Sequence, residues 1–198
     1  MITLAMDTAY KYLTLALFRD DELLASVSYE CFKHQSEELF PQLEKLLEEA
    51  DLDWKDIDQV VITDGPGSYT GVRIAMTVAK VLCTQFDLPL YTLSTLQIYG
   101  DTEGSVNVML DARSRRAYVG HMEDGRLTES ETILEEPDWQ EFIEEHPGKL
   151  YGDKLMEEEP QVSDHVSNFV KLKPLWKRVE NVHALVPRYL KESGEYKR

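Results

Sequence analysis

The stretch Val60-Val61-Ile62-Thr63-Asp64-Gly65-Pro66-Gly67-Ser68-Tyr69-Thr70-Gly71-Val72-Arg73-Ile74 constrains the fold of this chain more than any other. An apolar run ends in an acid, passes through a glycine-rich turn with hydroxyls on Ser68 and Thr70, and opens a helix with Arg73 in its first turn. This is how a β-strand hands the chain to an α-helix. Gly65, Gly67 and Gly71 permit positive φ and close backbone approach, while a helix N-terminus supplies unpaired amides at the positive end of its dipole. From the residues alone two uses are open. One is a tight corner capped by Ser68 or Thr70; the other is a phosphate cradle in which Gly65, Gly67, Ser68, Thr70 and Gly71 surround the anion. Neither common phosphate fingerprint is present, since no Lys follows Gly71 and the third glycine falls one residue late for G-x-G-x-x-G.

Upstream of the turn, alternation predicts three strands over residues 2–6, 12–18 and 23–29, linked by short polar turns. Ser36-Glu37-Glu38 then supplies an N-cap and first-turn acids, and Leu39, Phe40, Leu43, Leu46, Leu47 and Ala50 place an apolar stripe along a helix over 36–50, with Pro41 delaying or kinking its start. The helix opened by the glycine turn runs over 70–86. Its apolar residues span an arc of about 220° at 100° per residue, wider than one sheet can cover. It must also meet another helix, either within the chain or in a partner subunit, and Ala75 and Ala79 allow close approach.

A strand over 90–93 leads through Ser94-Thr95 into a brief helix ending near Gly100, and the opening pattern then recurs. Met6-Asp7-Thr8-Ala9-Tyr10 is answered by Leu110-Asp111-Ala112-Arg113-Ser114: strand, acid, turn, strand. This predicts a duplicated α/β unit with a boundary at residues 100–105. The second copy reads as strands at 106–110, 117–122, 127–134 and 150–151, a helix at 139–145, and helical pieces at 175–185 and 187–190.

The net charge of −16 opposes direct nucleic-acid binding by this chain alone. Residues 101–164 hold 18 acids against 6 bases, and residues 165–198 hold 3 acids against 8 bases, a polarity that suits a solvated face or a basic partner. A hydrophobic content of 42% supplies a core, no run is long enough to span a membrane, and no secretory leader is evident. Cys31 and Cys83 lack metal-type spacing and read as buried thiols of a cytoplasmic protein.

Catalytic machinery is sparse. Asp7 and Asp111, each at a strand end, could hold magnesium or orient a phosphate, or each could cap its own turn. The five histidines, His34, His121, His146, His165 and His183, form no H-x-x-x-H pair, and there is no G-x-S-x-G elbow. Arg113, Arg115 and Arg116 cluster in the second hairpin and could meet an anion or an acidic neighbour.

Read in order, Ala5-Met6-Asp7-Thr8-Ala9, His34-Gln35-Ser36-Glu37-Glu38-Leu39-Phe40-Pro41, the 65–74 turn, Ser94-Thr95-Leu96, Asp111-Ala112-Arg113 and Pro187-Arg188-Tyr189-Leu190 resemble the TsaB (YeaZ) family of tRNA threonylcarbamoyladenosine biosynthesis proteins. The resemblance implies an α/β actin-like/sugar-kinase (ASKHA) fold, with lobes 1–103 and 104–198 each built on a mixed five-stranded sheet. It implies a non-catalytic subunit of the complex that adds threonylcarbamoyl to N6 of the adenosine next to the anticodon in tRNAs reading codons that begin with A. The expected partners are a TsaD-type catalytic paralogue as heterodimer and a TsaE-type ATPase, with a homodimer in their absence. tRNA would be met mainly through the complex, and ATP and magnesium would be bound by the assembly, not by this chain alone. Where the catalytic paralogue carries paired metal histidines, this chain has Ser94-Thr95-Leu96-Gln97-Ile98, so no metal site and no catalytic residue are expected. The subunit interface is expected on helices 36–50 and 70–86, at Leu39, Leu43, Val72, Arg73, Ala75, Met76, Ala79, Lys80 and Cys83. The alternative is a nucleotide-dependent phosphotransferase or ATPase using Asp7, Thr8, Asp111 and the glycine turn.

Overall fold

β1 (Ile2–Asp7) and β2 (Tyr12–Arg19) form an antiparallel hairpin with Ile2 opposite Arg19 and Asp7 opposite Thr14. Both strands are buried along almost their whole length, because the sheet continues on either side of them. β3 (Glu22–Glu30) pairs with β2 and alternates between solvent and core, as an edge strand with one covered face does. On the other side β4 (Gln59–Thr63) runs parallel to β1, and β5 (Leu90–Leu93) runs parallel to β4. A computed structural model describes residues 1–190, which divide into two compact units: Met1–Thr95 with Lys173–Arg188, and Leu96–Leu172 with Tyr189 and Leu190.

In the first unit α1 (Gln35–Glu49) and α2 (Tyr69–Phe86) cover the sheet. α1 starts one residue before the predicted span; His34 stands at its N-cap without a side-chain capping bond, and the helix passes through Pro41. The side chain of Gln35 is buried and donates from Nε2 to the Tyr10 carbonyl at 2.9 Å, which fixes the helix start against the β1–β2 turn. The wide apolar arc of α2 is covered from within the unit: it lies on β4, with β1, β5, α1 and a 3₁₀ turn at Val182–Ala184 as further neighbours.

That last neighbour is a departure from the expected boundary. Residues 173–188, read as part of the second lobe, pack in the first unit. The helical pieces expected at 175–185 and 187–190 do not form. Instead β11 (Lys177–Arg178) pairs antiparallel with β5, and the Val179 amide donates to the Leu90 carbonyl at 2.9 Å. Hydrogen bonds to a sheet edge outweigh the weak helical propensity of a segment containing Pro174 and Pro187. The first sheet therefore has six strands, in the order β11-β5-β4-β1-β2-β3.

The second unit repeats the central arrangement of the first. β6 (Ser105–Asp111) and β7 (Arg116–Glu123) form an antiparallel hairpin, and β10 (Lys149–Gly152) runs parallel to β6, as β4 does to β1. The third strand is split: β8 (Arg126–Leu127) and β9 (Thr132–Glu135) take opposite ends of β7. A continuous strand over 127–134 is prevented because the amide and hydroxyl of Thr128 both turn to the His121 carbonyl, at 3.0 and 3.2 Å. A short helix α3 (Thr95–Tyr99) precedes the sheet and α4 (Trp139–Glu145) covers it, Trp139 and Phe142 packing with Met109, Val119 and Leu150. α5 (His165–Lys171) was missed by the periodicity, although Asp164 marks its start by accepting from the Ser167 amide at 3.0 Å.

Candidate functional site

The glycine turn is assembled around the loop that ends β1. Asp7 is fully buried; its Oδ1 accepts from the Ala9 amide at 3.0 Å and from the Thr63 hydroxyl, so one carboxylate closes the β1–β2 turn and ties it to the end of β4. Thr8 reaches into the first turns of α2. Its Oγ1 donates to the Gly71 carbonyl at 2.7 Å and accepts from the Ala75 amide at 3.0 Å, bridging the two groups of a single i to i+4 helical step. The Ser68 amide donates to the Ala9 carbonyl at 2.7 Å, and Ser68 Oγ caps the helix by accepting from the Gly71 amide at 3.2 Å. Of the two possible caps Ser68 is the one used, and Thr70 is exposed.

These contacts explain the glycines. A Cβ at position 67 would lie 2.1 Å from the Ala9 carbonyl oxygen, and one at position 71 would lie 2.4 Å from that of Thr8. Gly65 adopts φ +115°, and a Cβ there would stand 2.4 Å from the carbonyl oxygen of Arg188. Arg188 is the functional-looking residue that reading the sequence missed. Its amide donates to the Asp64 carbonyl at 2.8 Å, and its Nη2 donates to Asp64 Oδ1 and to the Gly65 carbonyl, each at 2.8 Å. The only signal was the Pro187-Arg188-Tyr189-Leu190 string, whose position in the chain says nothing of this contact. The turn is thus filled from one side by residues 8–9 and from the other by Arg188, and the amides of Ser68 and Gly71 are already committed. The residues present do not fit a phosphate cradle.

Asp111 plays in the second unit the part Asp7 plays in the first. Its Oδ1 accepts from the Arg113 amide at 2.7 Å, and its own amide donates to Asp153 Oδ2 at 2.8 Å. Arg113, Ser114 and Arg115 follow with φ of 63°, 57° and 57°, and Arg115 pairs with Glu136 at the surface. Each aspartate is used by its own hairpin turn. Gly152 belongs to the same packing logic, since a Cβ there would meet the Met109 carbonyl oxygen at 2.2 Å. Among the described residues no group of three His, Cys, Asp or Glu side chains is arranged to hold a metal ion, and no helix is long and apolar enough to cross a membrane.

The expected interface residues are placed differently from the reading of the sequence. Leu39, Leu43, Val72, Ala75, Met76, Ala79 and Cys83 are each at most 4% exposed and belong to the core of the first unit. The arc that seemed to need a partner is covered by the unit's own sheet, by α1 and by residues 182–185. Burial pushes the Cys83 thiol up to about 12, as expected of an inert thiol in an apolar core. Arg73 and Lys80 remain partly accessible: the Arg73 guanidinium lies 3.7 Å from the Tyr69 ring centroid, and Lys80 Nζ donates to the His183 carbonyl at 3.2 Å. What α1 and α2 present to solvent is a different set, Phe40 at 52%, Tyr69 at 37% and Val81 at 63% exposure, among Thr70, Thr77 and Thr84.

Two units, each with an acid-ended antiparallel hairpin flanked by a parallel strand, define a protein of the actin-like/sugar-kinase class. The fold is shared with YeaZ from Pseudomonas aeruginosa, at a TM-score of 0.75 and 22% identity over 96% of this chain and 99% of that one. The family model described as TsaD, tRNA N6-adenosine threonylcarbamoyltransferase, matches residues 27–184. The tRNA threonylcarbamoyladenosine biosynthesis protein TsaB of Bacillus subtilis is 30% identical, the match covering 96% of this chain and 94% of the relative. TsaB of Escherichia coli is also 30% identical, over 60% of this chain and 53% of its own length. The chain belongs to the TsaB (YeaZ) family.

Proposed function

We propose that this chain acts in tRNA threonylcarbamoyladenosine biosynthesis as a non-catalytic scaffold and activator, the heterodimer partner of a TsaD-type paralogue. The observation that carries the reading is the closure of the glycine turn by the protein's own backbone at Thr8, Ala9 and Arg188, which leaves the turn as a rigid elbow that aims α2. Asp7 and Asp111, the acids that a phosphotransferase would need, are each engaged in a hairpin turn. Nucleotide and magnesium are then handled by the assembly, with a TsaE-type ATPase docking on the heterodimer, and tRNA is met mainly through the partner, in keeping with a net charge of −16.

The partner surface is the exposed strip of α1 and α2, centred on Phe40, Tyr69 and Val81, which also serves a homodimer when the paralogue is absent. Val81→Glu tests this without touching the core. The variant should fold like the parent yet fail to co-elute with the TsaD-type protein of the same cells, and threonylcarbamoyladenosine in their tRNA should fall. Co-elution at parental strength would remove the strip from the interface. Saturable binding of Mg-ATP by the isolated chain in calorimetry would favour the phosphotransferase reading instead.

A further inference from the structure

In the second unit His121 of β7 and His146, at the C-terminal end of α4, lie ring against ring with centroids 4.9 Å apart. Their tautomers follow from their partners. Asn107 is fully buried and donates from Nδ2 to the His146 carbonyl, which can only accept, so its Oδ1 is the atom facing His121 Nδ1 at 2.9 Å. An amide oxygen accepts, so His121 carries its hydrogen on Nδ1. His146 Nδ1 stands 2.9 Å from the Phe142 carbonyl and by the same argument is a donor. In each neutral ring the lone pair is therefore on Nε2.

Both Nε2 atoms face carboxylates. His121 Nε2 lies 3.3 Å from Glu123 Oε1, and His146 Nε2 lies 3.3 Å from Glu129 Oε1. A nitrogen lone pair against a carboxylate oxygen at that distance repels unless a cation stands between them. Two protons would satisfy the two pairs, but they would place two imidazolium rings in contact. One divalent cation satisfies both pairs without that repulsion.

We propose that His121 and His146, with Glu123 and Glu129, form a binding site for one divalent transition-metal ion of the zinc class. The donor set of two imidazole nitrogens and carboxylate oxygens suits zinc, cobalt or nickel better than magnesium or calcium, which take oxygen ligands. The Nδ1 bonds to Asn107 and to the Phe142 carbonyl are the outer-shell support that orients a metal-binding histidine. The ring separation also fits, since two imidazoles on a tetrahedral ion at about 2.0 Å from each nitrogen have centroids about 5 Å apart. The four side chains do not yet surround a common point. Glu123 and Glu129 have side chains 53% exposed and are free to rotate inward, whereas the two rings are already held. The ion would pin the end of α4 and the loop between β8 and β9 to β7.

The test is calorimetric titration of the chelator-stripped full-length chain with Zn²⁺, paired with the visible spectrum of the Co²⁺ form. One zinc per chain, a raised Tm and the intense d–d bands of four-coordinate cobalt are expected. His146→Gln and Glu129→Gln lie near the surface and should each weaken binding by about tenfold or more; if circular dichroism shows that His146→Gln does not fold, Glu129→Gln decides. Absence of saturable zinc binding, or one zinc bound at parental affinity in the folded variants, overturns the proposal, as does binding lost on His34→Gln instead.

Discussion

Arg188 reaches back 124 positions to Asp64, and both partners contribute backbone and side chain to the junction. Nη2 of the arginine is shared between Asp64 Oδ1 and the Gly65 carbonyl, so loss of the guanidinium strips a donor from two acceptors at once. Because the Asp64 side chain is only 18% exposed, water replaces that donor incompletely. Arg188→Ala should cost about 2–3 kcal/mol in urea unfolding, in the range of hydrogen bonds to charged groups. Arg188→Lys should recover less than half, since one ammonium cannot reproduce the planar fork. Parental stability in Arg188→Ala would show that the junction contributes nothing.

Gly67 offers a sharper contrast. An added Cβ would press on the Ala9 carbonyl oxygen at 2.1 Å, a backbone atom that cannot rotate away. Gly67→Ala should destabilise the first unit by more than about 3 kcal/mol, in the range of severe overpacking. Gly104→Ala is the matched control: its Cβ would meet nothing within 4 Å, and only its φ of +71° opposes the change, for about 1 kcal/mol. Equal unfolding midpoints for the two variants would refute the close-packed turn.

The hairpin openings, the glycine turn and the alternation of strand and helix were legible because each is local: period two, period 3.6 and a cap residue leave their mark within a few positions. Ser68 shows this, being both the expected cap and the observed one. The destination of residues 173–188 was not legible. β11 is two residues long, and its pairing with β5 depends on where the Leu90 carbonyl lies in space. The same limit produced the error on α2. A 220° apolar arc states that something must cover the helix, and only the fold reveals that α1 and residues 182–185 do so. Arg188 could be quoted as part of a motif but not given a role, because its partner lies more than a hundred residues away.

Thr8 stands in the first turns of α2 as a hydroxyl between the Gly71 carbonyl and the Ala75 amide. Thr8→Val keeps the shape and removes both bonds in a fully buried place, so a cost of about 2–3 kcal/mol is expected. Thr8→Ser should retain most of the parental stability. Hydrogen exchange at the Ala75 amide reads the contact directly and should accelerate in Thr8→Val beyond the change in global stability. Unchanged exchange relative to neighbouring amides would mean that the helix closes its own bond without Thr8.

His165, only 8% exposed, lies against Tyr99 with ring centroids 4.2 Å apart. Burial pushes its imidazole down to about 4 from an ordinary 6.5, against the smaller opposing pull of the Asp164 carboxylate. Between those values the unfolded chain binds a proton that the folded chain refuses, so this group's contribution is complete above pH 6.5 and is lost as the pH falls towards 4. The whole shift is worth about 3 kcal/mol. His165→Phe keeps a ring against Tyr99 and removes the titration. Carboxylates contribute to the acid limb of both proteins, so the informative quantity is the difference between their unfolding free energies across that window. The parent should lose stability faster than the variant on acidification, and parallel curves from pH 6.5 to 4.5 would show that the buried imidazole is not the cause.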